Sequence, residues 1–283
     1  MTKIGAADSA GIASFSHLRL FAMRQSHATF VSDLHLYSRR SQAGRYLAAL
    51  HAAAARSDTF VLGGDIFDFR WSTLPSPEET VRQALRWLDE LVASHRRCQF
   101  HFVLGNHDCN RRFVAALETY SASRPNLAVH PYVLRLGNRL FLHGDAVDHP
   151  RMCPQRLSQR RQKWAADEMR SPMRHVLYDL AVTARLHRLA GKVAHPRRRV
   201  VHRLLGYLQR IGHGPEQGIE HVYFGHTHDA LEHYRYRGVT FHNPGAPMAG
   251  LKFRILETSD AARAGSPVGE ASPDNGAAAL PRR

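Results

Sequence analysis

The chain has little cysteine, a shortage of acidic residues and no long apolar run, and each lack closes off a class. Cys98, Cys109 and Cys153 are its three cysteines in 283 residues. They are too few and too scattered for a disulfide framework or a zinc ribbon, and they suit a reducing, cytoplasmic setting. The apolar stretches near the start, such as LRLFAM, are broken by arginine and are too short for a signal sequence or a membrane span. The expectation is a soluble, non-exported protein, with peripheral contact at the inner face of a membrane left open. Acidic residues number 24 against 39 Lys+Arg, a formal charge of +15. That excess points to an anionic partner, whether nucleic acid, membrane or a phosphorylated ligand, or else to nothing more than a well-solvated surface. No internal repeat is present. Residues 259–283 contain only Val268 and Leu280 as large aliphatics, too little apolar surface to offset ordering, and read as a disordered tail. Residues 1–25 read as a loose leader. Residues 26–258 remain as one domain, and a chain that is 43% hydrophobic can give it a full core.

Within that domain, strand-like runs alternate with helical ones, which predicts an α/β layered fold. ATFVSDLHL is followed by a helical stretch with Tyr46, Leu47, Leu50 and Ala54 on one face. TFVLGGDIFDF is the next strand. Ser76, Pro77 and two glutamates then open a helix whose Val81, Leu85, Leu88 and Leu91 form an apolar stripe. CQFHFVLGNHD is a third strand, and AVHPYVLRL, RLFLHGD, HVYFGHTH and GVTFHNPG make a β-rich second half.

Residues 151–214 break the rhythm. They carry no strand signal and hold fifteen Lys+Arg against three Asp+Glu, so a net +12 of the charge sits there. Three helical stretches are expected: RLSQRRQKWAADEM, MRHVLYDLAVTARLHRLAG and RRRVVHRLLGYLQRI. In the third, Val200, Val201, Leu204, Leu205 and Leu208 line an apolar face beside Arg197, Arg198 and Arg199. Such helices suit either an anionic interface or a cap packed on the core.

The polar ends of the strands share a pattern. Asp33 and His35 end the first, two positions apart and so on one face of an extended strand. Asp65 in GGD ends the second, Asn106 in GNHD the third, His143 in HGD a later one, and His226 and His228 in GHTH another. Ligands collect where strands of such sheets end. These side chains offer oxygen and imidazole donors and no thiolate, a set that suits divalent manganese, iron or zinc. Each motif alone is weak, but the five in this order, each directly after an apolar run, are specific.

This ordered set resembles the calcineurin-like metallophosphoesterase superfamily over residues 28–247, including the Asn243–Gly245 NPG turn. The resemblance implies a β-sandwich flanked by helices, with a helical lid insert, and a site for two divalent ions, manganese first. One ion would take Asp33, His35, Asp65 and His228, and the other Asp65, Asn106, His143 and His226, with Asp65 bridging. Ions about 3.5–4 Å apart activate water near neutral pH and clamp phosphoryl oxygens. His107 resembles the family histidine that stabilises the transition state or protonates the leaving oxygen, and Asp68, in the family's Asp-x-x-Asp, would orient it.

The SDLHL phrase and the position and length of the basic insert are similar to one branch, the UDP-diacylglucosamine pyrophosphohydrolases of lipid A synthesis. That similarity implies a lipid-linked nucleotide as substrate and an anionic membrane surface as partner. Arg111 and Arg112, in GNHDCNRRF, are placed either to meet substrate phosphates or simply to face solvent. His107 departs from the branch, whose members carry arginine there. A nuclease or nucleotide phosphodiesterase is the alternative. Trp164, Tyr178 and Tyr207 are the insert's only aromatics for stacking on nucleic acid. A non-catalytic scaffold is the third reading, and the complete ligand set argues against it.

Overall fold

The computed structural model describes residues 27–165, 169 and 196–258. The expected leader, the expected tail and the second insert helix lie outside them.

Two five-stranded sheets face one another. The first has the order β10-β1-β2-β3-β4, built from β1 (Ala28–Val31), β2 (Thr59–Leu62), β3 (Gln99–Val103), β4 (Leu127–His130) and β10 (Leu256–Thr258). Only β10 runs antiparallel to its neighbour. The second has the order β5-β6-β7-β9-β8, from β5 (Val133–Leu136), β6 (Arg139–Leu142), β7 (His221–Tyr223), β8 (Leu231–Tyr236) and β9 (Val239–Asn243). Its centre is parallel, and both edge strands pair antiparallel.

Side chains alternate across each strand, and that alternation builds the layers. Phe30, Val61 and Val103 point inward and meet Leu134, Phe141 and Tyr223 of the other sheet. The Phe141 and Tyr223 rings stack at 4.9 Å, with Phe30 tilted against both. Val31, Phe60, Leu62, Phe100 and Phe102 point outward under helices α1 (Leu47–Arg56), α2 (Pro77–Ser94) and α3 (Arg111–Ala122). The result is a helix-flanked β-sandwich, the architecture the resemblance implies.

Local chemistry sets the helix starts. Ser76 Oγ accepts from Glu79 N–H at 3.1 Å, Pro77 follows, and Glu78 and Glu79 complement the helix dipole of α2. Leu88 and Leu91 of the expected stripe are buried, and Val81 and Leu85 pack partly buried beside them. Asn110 caps α3, accepting from the N–H of Arg112 and of Phe113.

Two sequence expectations need correction. AVHPYVLRL is not one strand: it breaks at Pro131, and β4 and β5 belong to different sheets. Proline has no N–H to continue a ladder, so it suits the crossover between sheets. The insert's last helix, α5 (Arg197–Arg210), forms as expected, but its apolar face is fully used. Val200, Val201, Leu204, Leu205 and Leu208 are buried against Leu140, Val222 and Phe224 of the second sheet. At roughly 1.5–3 kcal/mol for each large aliphatic, that face is committed to the core and not to lipid. The insert's first helix, α4 (Pro154–Ala165), inserts Leu157 into the same cluster. Among the described residues, no helix is long and apolar enough to cross a membrane.

Candidate metal centre

The polar residues sit just past the strands, as expected, but not in extended backbone. β1 stops at Val31, and Asp33 and His35 adopt φ of +54° and +44°, so strand periodicity is not what aligns them. Asp65, His226 and His228 are left-handed too, at +51°, +66° and +55°. A non-glycine residue pays about 1 kcal/mol or more for this, and such outliers concentrate at functional sites. The first sheet's rim supplies Asp33, His35, Asp65 and Asn106. The second supplies His143, His226 and His228, so the site lies astride the seam between sheets.

The side chains form two adjoining groups. In the first, His228 Nε2 lies 3.1 Å from His35 Nε2 and 3.3 Å from Asp33 Oδ1. In the second, His143 Nε2 lies 3.2 Å from Asp65 Oδ2, 3.2 Å from Asn106 Oδ1 and 3.3 Å from His226 Nδ1. Asp65 Oδ2 is also 4.0 Å from His35 Nε2, so this carboxylate oxygen lies at the junction of the groups.

The surrounding hydrogen bonds show which lone pairs face inward. His143 Nδ1 lies 3.3 Å from Gly63 O, an acceptor only, so that nitrogen carries the proton and Nε2 turns a lone pair to the site. His226 Nε2 lies 2.8 Å from Asp148 Oδ1, which leaves its Nδ1 as the inward lone pair. Asp65 Oδ1 accepts the His107 N–H at 2.8 Å, leaving Oδ2 inward. Asp33 Oδ2 accepts from Ser32 Oγ, the His226 N–H is shared between Oδ2 and Oδ1 at 2.9 and 3.0 Å, and Oδ1 also faces His228 Nε2. In the second group acceptors thus converge on acceptors, an arrangement that repels unless a cation sits among them. The residues fit two divalent ions.

The electrostatics agree. Burial opposes ionisation of Asp33 and Asp65, yet the imidazoles of His228 and His143 hold both carboxyls below the usual range. Burial likewise opposes charge on His143, but Asp65 pushes it up to about 10, a pull for positive charge at Nε2 that a bound cation would meet in place of a proton. The pocket demands positive charge. His228 goes the other way, held below its ordinary value by burial in spite of Asp33.

Two glycines leave the room the carboxylates need. A methyl group on Gly225 would overlap Asp33 Oδ2, and one on Gly105 would overlap Asp65 Oδ1. Asn243 of the NPG turn braces the GHTH loop, donating to Gly225 O at 2.9 Å and to Thr227 Oγ1 at 3.1 Å.

His107 stands beside both groups without joining the inward lone pairs. Its Nδ1 lies 3.0 Å from Asp68 Oδ1, and Asp68 Oδ2 is 3.5 Å from His35 Nδ1. Burial works against its charge, but Asp68 and Asp65 push it up to about 9. Burial also opposes ionisation of Asp68, which its two imidazole neighbours hold well below the carboxylate range.

The family profile for calcineurin-like phosphoesterases matches residues 27–230. The chain belongs to the calcineurin-like phosphoesterase family. It is a metal-dependent phosphoester hydrolase from a family that works with two metal ions. No functionally curated protein matches it. Solved structures resemble this phosphoesterase at low identity. One is a conserved, uncharacterised protein predicted to be a phosphoesterase from Streptococcus pneumoniae, 13% identical, covering 84% of this chain and 99% of that one, with a TM-score of 0.32. Another is a dimetal phosphatase from Danio rerio, 12% identical, covering 83% and 95%, with a TM-score of 0.40. A third is the sulfate thiohydrolase SoxB from Thermus thermophilus, 14% identical, covering 85% and 57%, with a TM-score of 0.36.

Sequence reasoning missed several neighbours of the site in this phosphoesterase. The Trp164 ring, from α4, packs on His107 at 4.7 Å, and the Arg70 guanidinium lies over Trp164 at 4.2 Å. Asp108 accepts from the N–H of Phe67 and of Gly105 and braces the GNHD turn; burial raises its carboxyl to about 6. Asp148 is three residues past the HGD motif, but its partner His226 is 78 residues away. Arg111 and Arg112, expected at substrate, lie exposed on the first turn of α3, where Arg112 pairs with Glu78 of α2.

Proposed function

We propose that this chain hydrolyses a phosphodiester or pyrophosphate with two divalent ions, manganese being the first candidate and iron or zinc the others. Asp33, His35, Asp65 and His228 would hold one, and Asp65, Asn106, His143 and His226 the other. The observation that carries the reading is the convergence of carboxylate, amide and imidazole donors on two adjoining points, with Asp65 Oδ2 in one and 4.0 Å from His35 of the other. The ions would supply Lewis acidity and an activated water at neutral pH. The chain's own residues do the rest. Asp68 orients His107 through Nδ1, and His107 donates toward the leaving oxygen. Trp164 covers the His107 ring and fixes its position.

The finer substrate reading is a lipid-linked nucleotide such as UDP-diacylglucosamine, met at an anionic membrane surface. The basic insert and the SDLHL phrase support it. A soluble nucleotide diester is the second reading, favoured by the apolar face of α5 being used up in the core. A substrate panel with Mn²⁺ and the full chain separates them: lipid-linked nucleotide diphosphate, soluble nucleotide diester and single-stranded DNA. Turnover of the lipid substrate together with flotation on anionic liposomes supports the first. Turnover of the soluble diester alone overturns it. A chain that cleaves no phosphoester with any of the three metals defeats the proposal as a whole.

A further inference from the structure

The basic insert begins by gripping the site. Arg161 of α4 is buried and donates from Nε and Nη2 to the two oxygens of Asp145, both at 2.8 Å. One residue earlier, exposed Arg160 donates to Asp148 Oδ2 at 2.6 Å, while the other oxygen of Asp148 faces His226 Nε2 at 2.8 Å. A chain of contacts therefore runs from the insert helix through Asp148 to one of the two histidines of the GHTH motif. Imidazole has two nitrogens, and which one faces a metal is decided by the partner of the other. Without an acceptor at Nε2, the tautomer that carries its proton on Nδ1 would turn an N–H inward, toward His143 Nε2.

We infer that Asp148 is a positioning residue for His226, held in turn by Arg160, so that the first helix of the insert sets the ligand geometry of one metal position and not of the other. The inference rests on the proposed metal centre and adds a division of labour within it. Asp33, His35 and His228 form the other group, which α4 approaches by a different route: Trp164 packs on His107, whose partner Asp68 lies 3.5 Å from His35 Nδ1. The coupling through Asp148 is therefore one-sided: its loss loosens one ion while the other stays.

The test uses the full chain, stripped with chelator and titrated calorimetrically with Mn²⁺, then with Co²⁺ while its visible ligand-field bands are recorded. Wild type should show two binding steps. Asp148→Ala should weaken one step about 10–100-fold and leave the other unchanged, the usual cost of losing a ligand's outer partner. The Co²⁺ bands of that step should change with it. Asp148→Asn keeps an oxygen acceptor and should restore part of the lost affinity. Arg160→Ala, on the exposed surface, should weaken the same step by less and guards against a misfolded Asp148 variant. If Asp148→Ala binds both ions with wild-type affinity and unchanged bands, the inference is wrong. Equal weakening of both steps together with a lowered melting temperature would also overturn it, because Asp148 would then only anchor the insert. Wild type binding no ion would defeat the metal centre itself, and the inference with it.

Discussion

The backbone N–H of His107 donates to Asp65 Oδ1 at 2.8 Å, so the residue proposed as acid is built onto the carboxylate proposed as bridge. The second oxygen of Asp65 is left to face both donor groups. Asp65→Ala should therefore abolish turnover of every phosphoester tested and also lower metal content. Elemental analysis of the purified variant checks this, with two ions per chain expected in wild type and fewer than one in the variant.

His107→Ala should keep both ions and lower turnover by ~10²–10⁴, the usual worth of a positioned acid or base. Asp68→Asn should fall in the same direction by less, since its amide oxygen still accepts from His107 Nδ1. Metal analysis beside steady-state rates decides the matter. Loss of the ions from His107→Ala would make it a ligand.

Trp164→Ala should slow turnover by ~10-fold or more at full metal content, because a loosely seated group loses much of its positioning advantage. Trp164→Phe should recover most of it. Equal rates in all three proteins would remove Trp164 from the site.

Gly225→Ala isolates crowding from backbone strain, since Gly225 has no left-handed φ and the added methyl meets Asp33 Oδ2 and its donor Ser32. An overpacked site costs about 1–3 kcal/mol. The expected outcome is a folded protein with ion affinity down at least tenfold, read by metal titration. Unchanged affinity would show that Asp33 can shift without cost.

Away from the site, burial, aided by His130, lowers the His101 imidazole to about 4, and burial, aided by His221 and His233, lowers His242 to about 3. Histidines held neutral by the fold bind protons more readily when unfolded, so their stabilisation is full above about pH 6.5 and is lost as pH falls toward those values. Each costs about 2 kcal/mol at pH 5 relative to pH 8. Urea unfolding at several pH values should show wild-type stability falling more steeply below pH 6.5 than that of His242→Gln. Parallel curves would contradict it.

Much of the site was legible because the residues past each apolar run carry the donors, and the order of those runs fixes which rim they share. What the sequence could not show is geometric. The strand-alternation argument for Asp33 and His35 placed them together for the wrong reason, since nothing in the letters of a non-glycine residue announces a left-handed φ. The helix at 197–210 was legible, yet its amphipathic pattern is the same whether the apolar face meets lipid or sheet, and only the contacts with Leu140 and Phe224 decide. Asp148 and His226 meet across 78 residues, and Trp164 reaches His107 across 57. Pairings of that range leave no local trace.

The site's place astride the two sheets has a consequence for the order of events at the ribosome. Asp33, His35, Asp65 and Asn106 are synthesised with the first four strands, and His226 and His228 come some 120 residues later. A nascent chain that has made only β1 to β4 offers carboxylates, an amide and one imidazole, without the lone pairs that complete either group. Binding energy that depends on finished ligand geometry becomes available only when the halves close. Metal loading is thus a late step of maturation, and an arrested or truncated chain should leave the ribosome as an apoprotein, whatever the supply of ions around it.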